Sequence, residues 1–499
     1  MASAKKTEDT SSRARLGSVI KSARDIMRKD AGLNGDLDRL PLLSWLLFLR
    51  AFDALEKQRK EWEQDDFRPA IEPKYQWRKW AEDKELTGDD LLKFVNEELL
   101  PYLSDLKSDQ PGDPRNVLGQ VFEGVQNRMA SGYLLRDLIN QINNINFASS
   151  DDIHTMAYLY ESLLKEVRDA AGDSGEFYTP RPVIRFMVEQ TFLELGETIL
   201  DPACGTGGFL VEAYTELTEL PSGQKLGILQ QEKLWRDLRG IEKKPLPYLL
   251  CMMNLILHGI TEPNILHTNA LRHMLNESGP SSRVDVILTN PPFGGEEEAS
   301  IAKAFPQGYR TRETAWLFLH EVIRKLKPDG RCAIVLPNGA LFGEGIGTKI
   351  KKKLMEECNL HTIVRLPQGV FAPYTQIPAN LLFFDKTGPT KETWFYQIDP
   401  PEGRKGYAKT RPMRNEEFAE CAEWWGGKER TGREKNEHAW CVPIADIIAN
   451  DYNLNLNHPE EEDDLAHRPP LELLADLINT ERQILASLTE LQAELKENH

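Results

Sequence analysis

Asn290-Pro291-Pro292-Phe293 sets a side-chain amide, a backbone carbonyl between two prolines and an aromatic ring in four successive positions. That combination suits an exocyclic ring amine, whose lone pair is delocalised and therefore weakly nucleophilic. A pocket that accepts hydrogen bonds from both N–H groups favours the pyramidal, reactive nitrogen. The Asn290 side-chain oxygen and the Pro291 carbonyl can accept them, and Pro291 and Pro292 hold the turn rigid. Phe293 can stack on a base taken out of its helix. By average residue usage such a tetrapeptide arises by chance in on the order of one in a few hundred chains of this length, so it needs a second motif beside it.

The second motif is Asp201-Pro202-Ala203-Cys204-Gly205-Thr206-Gly207-Gly208. It is not the dinucleotide pattern Gly-x-Gly-x-x-Gly, because Gly208 adjoins Gly207 and the third glycine is missing. No lysine follows it to cradle phosphates, which excludes a P-loop. Glycines let the backbone approach a ligand, and the helix that follows offers free N–H groups. Glu242 in Gly240-Ile241-Glu242 is a second acid, able to accept from both ribose hydroxyls. A nucleoside without phosphates is the expected ligand, which fits S-adenosylmethionine. The expected reaction is a direct in-line displacement from the sulfonium, with no metal and no covalent enzyme intermediate. Glu176-Phe177-Tyr178-Thr179-Pro180-Arg181 lies just before a helical stretch and can line the cofactor pocket opposite Glu242. Asn269, after a third strand, is placed to meet the cofactor's adenine edge.

These residues must be positioned by a sheet. Thr198-Ile199-Leu200, Leu238 to Glu242, Ile265-Leu266, Val284 to Thr289, Arg331 to Leu336, Thr362 to Leu366 and Leu381 to Asp385 read as strands, with helical stretches between most of them. That alternation predicts a doubly wound, mostly parallel α/β sheet over 171–390. In such sheets ligands bind beyond the carboxyl ends of the strands. Before it, Leu16, Val19, Ile20, Ala23 and Ile26 keep helical spacing, and helical patterns continue to Ala170. Residues 16–170 are therefore expected to be all-helical, and 1–15 disordered. Residues 391–465 are mixed and carry no clear pattern. In the tail 466–499, Leu477, Ile484 and Leu491 lie on one stripe, which calls for burial against this chain's own helices or a partner subunit's helix.

The 499 residues carry a net charge of −17, which argues against holding nucleic acid unaided. The longest apolar run, Leu40 to Leu49, is too short to span a bilayer, and Met1 to Arg15 is no signal peptide. The expected location is the cytoplasm. Six scattered cysteines without Cys-x-x-Cys spacing are expected to be reduced, mostly buried thiols.

The order Gly-Glu-Phe-Tyr-Thr-Pro-Arg-Pro (175–182), Asp-Pro-Ala-Cys-Gly-Thr-Gly-Gly-Phe-Leu (201–210) and Asn-Pro-Pro-Phe (290–293) resembles the N6-adenine DNA methyltransferases. It is most similar to the modification subunits of type I restriction–modification systems. The run Pro367 to Thr375 followed by Asn380 to Phe384 resembles a stretch of that family near the target base, although Gln376-Ile377-Pro378-Ala379 departs from its pattern. The resemblance implies a Rossmann-like S-adenosylmethionine-dependent methyltransferase domain. It implies that Glu176 to Arg181, Thr206 to Gly208 and Glu242 bind the cofactor, with Asp201, Gly205 and Asn269 beside them. Asn290, Pro291 and Phe293 would hold the target adenine. It further implies double-stranded DNA as substrate and a separate specificity subunit served by two copies of this chain. A restriction/translocase subunit would complete the assembly. Two other readings stay open: methylation of an RNA adenine or a protein glutamine amide, and a non-catalytic scaffold that kept the fold.

Overall fold

The computed structural model describes residues 2–147, 156–157, 160, 164 and 179–459, apart from 65–66, 111–112, 220–225, 261, 278, 343–344, 373 and 402. Most of the helical stretch expected over 153–170, Glu176, Phe177 and Tyr178, and the tail 466–499 lie outside the described residues.

Short apolar segments bounded by turns form the strands β1 (Ile199–Asp201), β2 (Leu238–Glu242), β3 (Asn264–His267), β4 (Val284–Thr289), β5 (Leu326–Pro337), β6 (Asn359–Arg365), β7 (Ala379–Asp385), β8 (Glu392–Gln397) and β9 (Ala439–Pro443). Among the described residues they make one sheet of nine strands, ordered β3-β2-β1-β4-β5-β7-β6-β8-β9. Neighbours from β3 through β5 run parallel, as do β6 and β8. β7 is antiparallel to both β5 and β6, and β9 is antiparallel to β8. The last two strands come from the region whose sequence carried no clear pattern.

Alternate residues of the central strands enter two different cores. Ile199, Val286, Leu288, Ala333 and Val335 face one, and Leu200, Ile287, Cys332, Ile334 and Leu336 face the other. Helices Arg181–Glu189, Gly208–Thr218 and Pro245–Leu257 cover the first face; Ala270–Asn276, Thr314–Lys325 and Ile346–Glu357 cover the second. With both faces covered, the strands read as continuous apolar runs rather than alternating ones.

The chain lays β1, β2 and β3 outward in turn, then returns to place β4 on the other side of β1. That reversal opens a crevice beyond the carboxyl ends of β1 and β4. Both motifs end there.

Every residue of Pro245–Leu257 from Pro247 onward is buried, because this helix lies between the sheet and the N-terminal helices. The long helix Asp36–Glu63 packs on it. Tyr248 links the two parts further. Its hydroxyl hydrogen-bonds Gln120 at 3.1 Å and its ring stacks on His267 at 4.7 Å. In the helix Gly132–Asn143, Leu135, Leu138, Ile139 and Ile142 are buried, the spacing of one helical face. The first helix runs Ala2–Arg28, so the segment expected to be disordered is helical here. Its Ala, Lys, Glu and Arg residues are good helix formers even without an apolar stripe. All six cysteines are free, and all but Cys441 are buried.

Candidate functional site

β1 ends on Asp201, and the chain turns through Gly205 (φ +53°) and Gly207 (φ +79°) before the helix begins at Gly208. Three contacts make the turn rigid. The Cys204 amide donates to the Ile241 carbonyl of β2 at 3.1 Å. The Asn254 side-chain amide donates to the Thr206 carbonyl at 2.8 Å. The Arg181 guanidinium donates to the Gly208 carbonyl at 3.0 Å, which ties the segment before the sheet to the glycine turn. A β-carbon on Gly207 would sit 2.8 Å from the buried Cys251 sulfur, and one on Gly208 would sit 2.6 Å from Ile184. Gly207, with its positive φ as well, calls for glycine, while a side chain at Gly208 would have to displace the end of Ile184.

Two carboxylates lie under this turn. Asp201 is fully buried and accepts from the Thr289 hydroxyl (2.8 Å) and the Ala203 amide (3.1 Å). Burial pushes its carboxyl up to about 7, with Glu242 adding to the rise and the two hydrogen bonds opposing it. Glu242 accepts from the Gly205 amide (3.0 Å) and the Lys244 amide (2.7 Å). Its pKa is also raised by burial. Glu242 thus braces the turn from β2.

Thr179, Arg181, Asp201, Thr206, Gly208 and Asn290 line one cavity. Gly205 and Gly207 belong to its turn, and Pro180 precedes the helix Arg181–Glu189 as its cap. Asn269 is not among the cavity's lining residues. Its side chain caps the helix Ala270–Asn276 by accepting from the Arg272 amide at 3.2 Å, and donates to Glu297 at 3.2 Å. Glu297 also accepts from Lys243 at 3.2 Å, so the loop after the tetrapeptide folds back across the ends of β2 and β3.

Asn290 follows β4 at the mouth of this cavity. Its amide nitrogen donates to the Thr179 hydroxyl at 3.0 Å, while its side-chain oxygen is buried and without a partner among the described residues. A buried acceptor left unpaired costs roughly 1–3 kcal/mol. Phe293 is half-buried, with Phe371 at 5.7 Å and Tyr374 at 6.4 Å between ring centroids. Both rings come from the loop after β6, so three aromatics meet beside Asn290. Thr314 donates to the Pro292 carbonyl at 3.2 Å and fixes the second proline.

Thr289, Asn254, Glu297 and Thr314 were not picked out from the sequence. For two of them a signal was available. Thr289 is a hydroxyl ending an apolar strand, and Asn254 is an amide inside the apolar run Leu249–Leu257. A polar side chain in such a place is buried and has to bond to something.

A glycine turn over buried acids and a strand-borne Asn-Pro-Pro-Phe, set at the switch point of a doubly wound sheet, define a methyltransferase acting on a ring amine. Comparison with known proteins agrees. The N-6 DNA Methylase family matches residues 151–467 and the HsdM N-terminal domain matches residues 16–142. The Escherichia coli type I restriction enzyme EcoEI methylase subunit is 50% identical over 476 residues, covering 94% of this chain and 95% of that protein. The StySPI methylase subunit of Salmonella potsdam is 32% identical over 332 residues, covering 62% of this chain and 61% of its own. A chain from the solved assembly of a type I R-M system superposes with a TM-score of 0.81 at 39% identity, covering 97% of this chain and 99% of that one. The chain belongs to the N-6 DNA methylases and, within them, to the methylase subunits of type I restriction enzymes. It is an adenine-specific DNA methyltransferase. No helix among the described residues is long and apolar enough to cross a membrane.

Proposed function

We propose that the cavity at the switch point binds S-adenosylmethionine and that Asn290 presents its free oxygen to the N6 amine of an adenine flipped out of duplex DNA. The unpartnered Asn290 oxygen at the mouth of that cavity carries this reading. The residues fit the cofactor. Two buried acids and no lysine in the turn suit a cationic nucleoside better than a nucleotide. Glu242 would take the ribose hydroxyls, the Thr206–Gly208 backbone would line the methionine end, and Thr179 and Arg181 would close the near side. Bound there, S-adenosylmethionine supplies the methyl group as a sulfonium electrophile. The Asn290 oxygen and the Pro291 carbonyl accept from the two N–H groups of N6, which localises the lone pair on nitrogen. Phe293, backed by Phe371, stacks on the flipped base. The same loops exclude water from the reacting nitrogen.

The Thr179 hydroxyl decides which end of the Asn290 amide faces the base. Thr179→Val removes that acceptor and lets the amide turn over. Turnover is expected to fall roughly tenfold to a hundredfold, with binding of S-adenosylmethionine little changed and Thr179→Ser restoring most of the rate. Steady-state kinetics on the three forms checks this, and a full rate in Thr179→Val would remove Thr179 from the mechanism.

Asp201 gives the site a pH signature. With its carboxyl raised to about 7, the apo site is protonated below that pH. A bound cation favours the ionised form, so binding should release a proton at pH 6 and affinity should rise with pH until about 7. Calorimetry at pH 6 in two buffers of different ionisation enthalpy would detect the proton. Asp201→Asn should bind with no such dependence.

Sequence recognition by a separate specificity subunit, two copies of this chain for each, a restriction/translocase partner and a cytoplasmic location complete the reading. The chain's acidic charge supports that division of labour. The test is transfer of tritium from labelled S-adenosylmethionine to mixed-sequence DNA, with and without the co-expressed specificity subunit, followed by nucleoside analysis. N6-methyladenine that depends on the partner is expected. Label appearing in RNA or protein but never in DNA would overturn the reading.

A further inference from the structure

We propose that the basic hairpin Gly403–Arg414, with the cleft it borders at the ends of β6 and β8, seats the phosphate backbone of the DNA flanking the target adenine. The proposal rests on the reading of the base pocket given above.

Within a chain of net charge −17, the segment from Gly403 to Arg414 holds Arg404, Lys405, Lys409, Arg411 and Arg414 and no acid. All five side chains are exposed. Among the described residues Arg404, Lys405, Arg411 and Arg414 form no ion pair. A run of charge by itself is often just a solvated face. Three structural facts set this one apart.

The hairpin is held rigidly. A bridge between Ala408 and Arg411 closes its tip, and Tyr407 is buried at its base. The Tyr407 amide donates to the Gln368 carbonyl at 2.9 Å. A β-carbon on Gly369 (φ +77°) would lie 2.1 Å from the Tyr407 carbonyl oxygen, and one on Gly406 would lie 2.6 Å from the Gln368 carbonyl oxygen. The two backbones therefore touch directly, in a way only glycine permits.

The hairpin is also held in the right place. The loop it rests on is the one that brings Phe371 and Tyr374 to Phe293. Since β7 is antiparallel to both its neighbours, β6 and β8 point the same way as β4 and β5. Asn290, Asn338, Arg365 and Gln397 thus all stand at carboxyl ends of strands on one edge of the sheet. Duplex DNA delivering a base to Asn290 has to lie along that edge.

Finally, the cleft has the lining a phosphodiester backbone needs. It measures about 260 Å³ and is lined by Asn338, Arg365, Gln368, Asn380, Gln397 and Lys405. Its one acid, Asp399, accepts from the Gln397 amide at 3.1 Å. Arg365 is tied to the Leu456 carbonyl and the Asn455 side chain, and Asn380 to Asn338, so Lys405 and the Gln368 amide are the donors offered to phosphate and sugar oxygens, which they would position without reading sequence. A sequence-blind grip here suits a subunit whose target is chosen elsewhere.

The test is duplex binding by the full chain co-purified with its specificity subunit, measured by fluorescence anisotropy over a range of salt. Arg404→Ala/Lys405→Ala/Arg411→Ala is expected to weaken binding of target and unrelated duplexes by a similar factor, roughly tenfold or more. The plot of log K against log salt should become shallower by about 0.9 for each phosphate no longer neutralised. S-adenosylmethionine binding by calorimetry should stay at the wild-type value. Lys405→Gln alone, an exposed single change, should lower the slope by about one. Wild-type affinity and slope in the triple variant, with Asn290→Ala still inactive, would overturn the hairpin's role and leave the base pocket standing. Loss of the specificity subunit on co-purification would also overturn it, by making the hairpin a protein-binding surface. A wild-type complex that never labels DNA adenine would instead overturn the underlying reading.

Discussion

Asn290→Ala should lower methyl transfer by on the order of 10²–10³-fold at saturating substrates, while S-adenosylmethionine binds with near-native affinity. The asymmetry follows from what Asn290 touches. Its nitrogen bonds only Thr179, and its oxygen bonds nothing among the described residues. Truncation therefore removes nothing that holds the sheet together. It takes away the acceptor that would localise the amine lone pair in the transition state, and the rate is where that loss appears. Asn290→Asp separates the two halves of the amide. It keeps an oxygen near the amine but replaces the donor to Thr179 with a second acceptor. A carboxylate facing a hydroxyl can still be satisfied, so part of the activity should return. Single-turnover transfer of labelled methyl, read beside calorimetric cofactor binding, checks both. Near-wild-type transfer by Asn290→Ala would remove the base pocket from this position.

Gly207→Asp should abolish S-adenosylmethionine binding and lower the protein's stability. Gly207 sits at φ +79°, where a side chain costs roughly 1–2 kcal/mol of backbone strain. Its β-carbon would also lie 2.8 Å from the Cys251 sulfur, on the buried helix Pro245–Leu257, which has nowhere to retreat. The turn is tied down on its other sides by Asn254 and Arg181, so it cannot swing away either. A new carboxylate would in addition be driven against the apolar Cys251 and Leu255 of that helix, where a charge is costly. Melting temperature should drop by several degrees, since about 1 kcal/mol shifts a domain of this size by roughly 2–4 °C. Gly207→Ala separates strain from charge: it should melt lower as well but keep some cofactor binding. Normal calorimetric titration of Gly207→Asp with S-adenosylmethionine would show that the turn does not face the cofactor.

The chemistry and the frame that carries it were legible in the residue order. Asn290-Pro291-Pro292-Phe293 and the glycine turn after Asp201 are contiguous, so their local geometry is fixed by φ preferences and by proline and glycine themselves. The apolar runs around Ile199, Val286 and Ile334 read as strands, since each is short and bounded by turn residues. The N-terminal helices announced themselves by spacings such as that of Leu16, Val19, Ile20 and Ala23.

Other features depend on partners far away in the chain, and no local pattern encodes them. β8 is held between β6 and β9, and β9 rests on β8 at the sheet's end, with Phe395 stacked on Trp440 at 5.3 Å. The reversal of β7 between β5 and β6 is a matter of sheet assembly. So is the hydrogen bond that orients Asn290, made to Thr179 across 111 residues. Asp201 could be read as an acid at a strand end, but its raised pKa comes from complete burial, which only the packed sheet imposes. The sequence determined which groups are available for methyl transfer. The tertiary structure decided which of them face the cavity, because strand order, burial and long-range hydrogen bonds are set by the whole chain closing on itself.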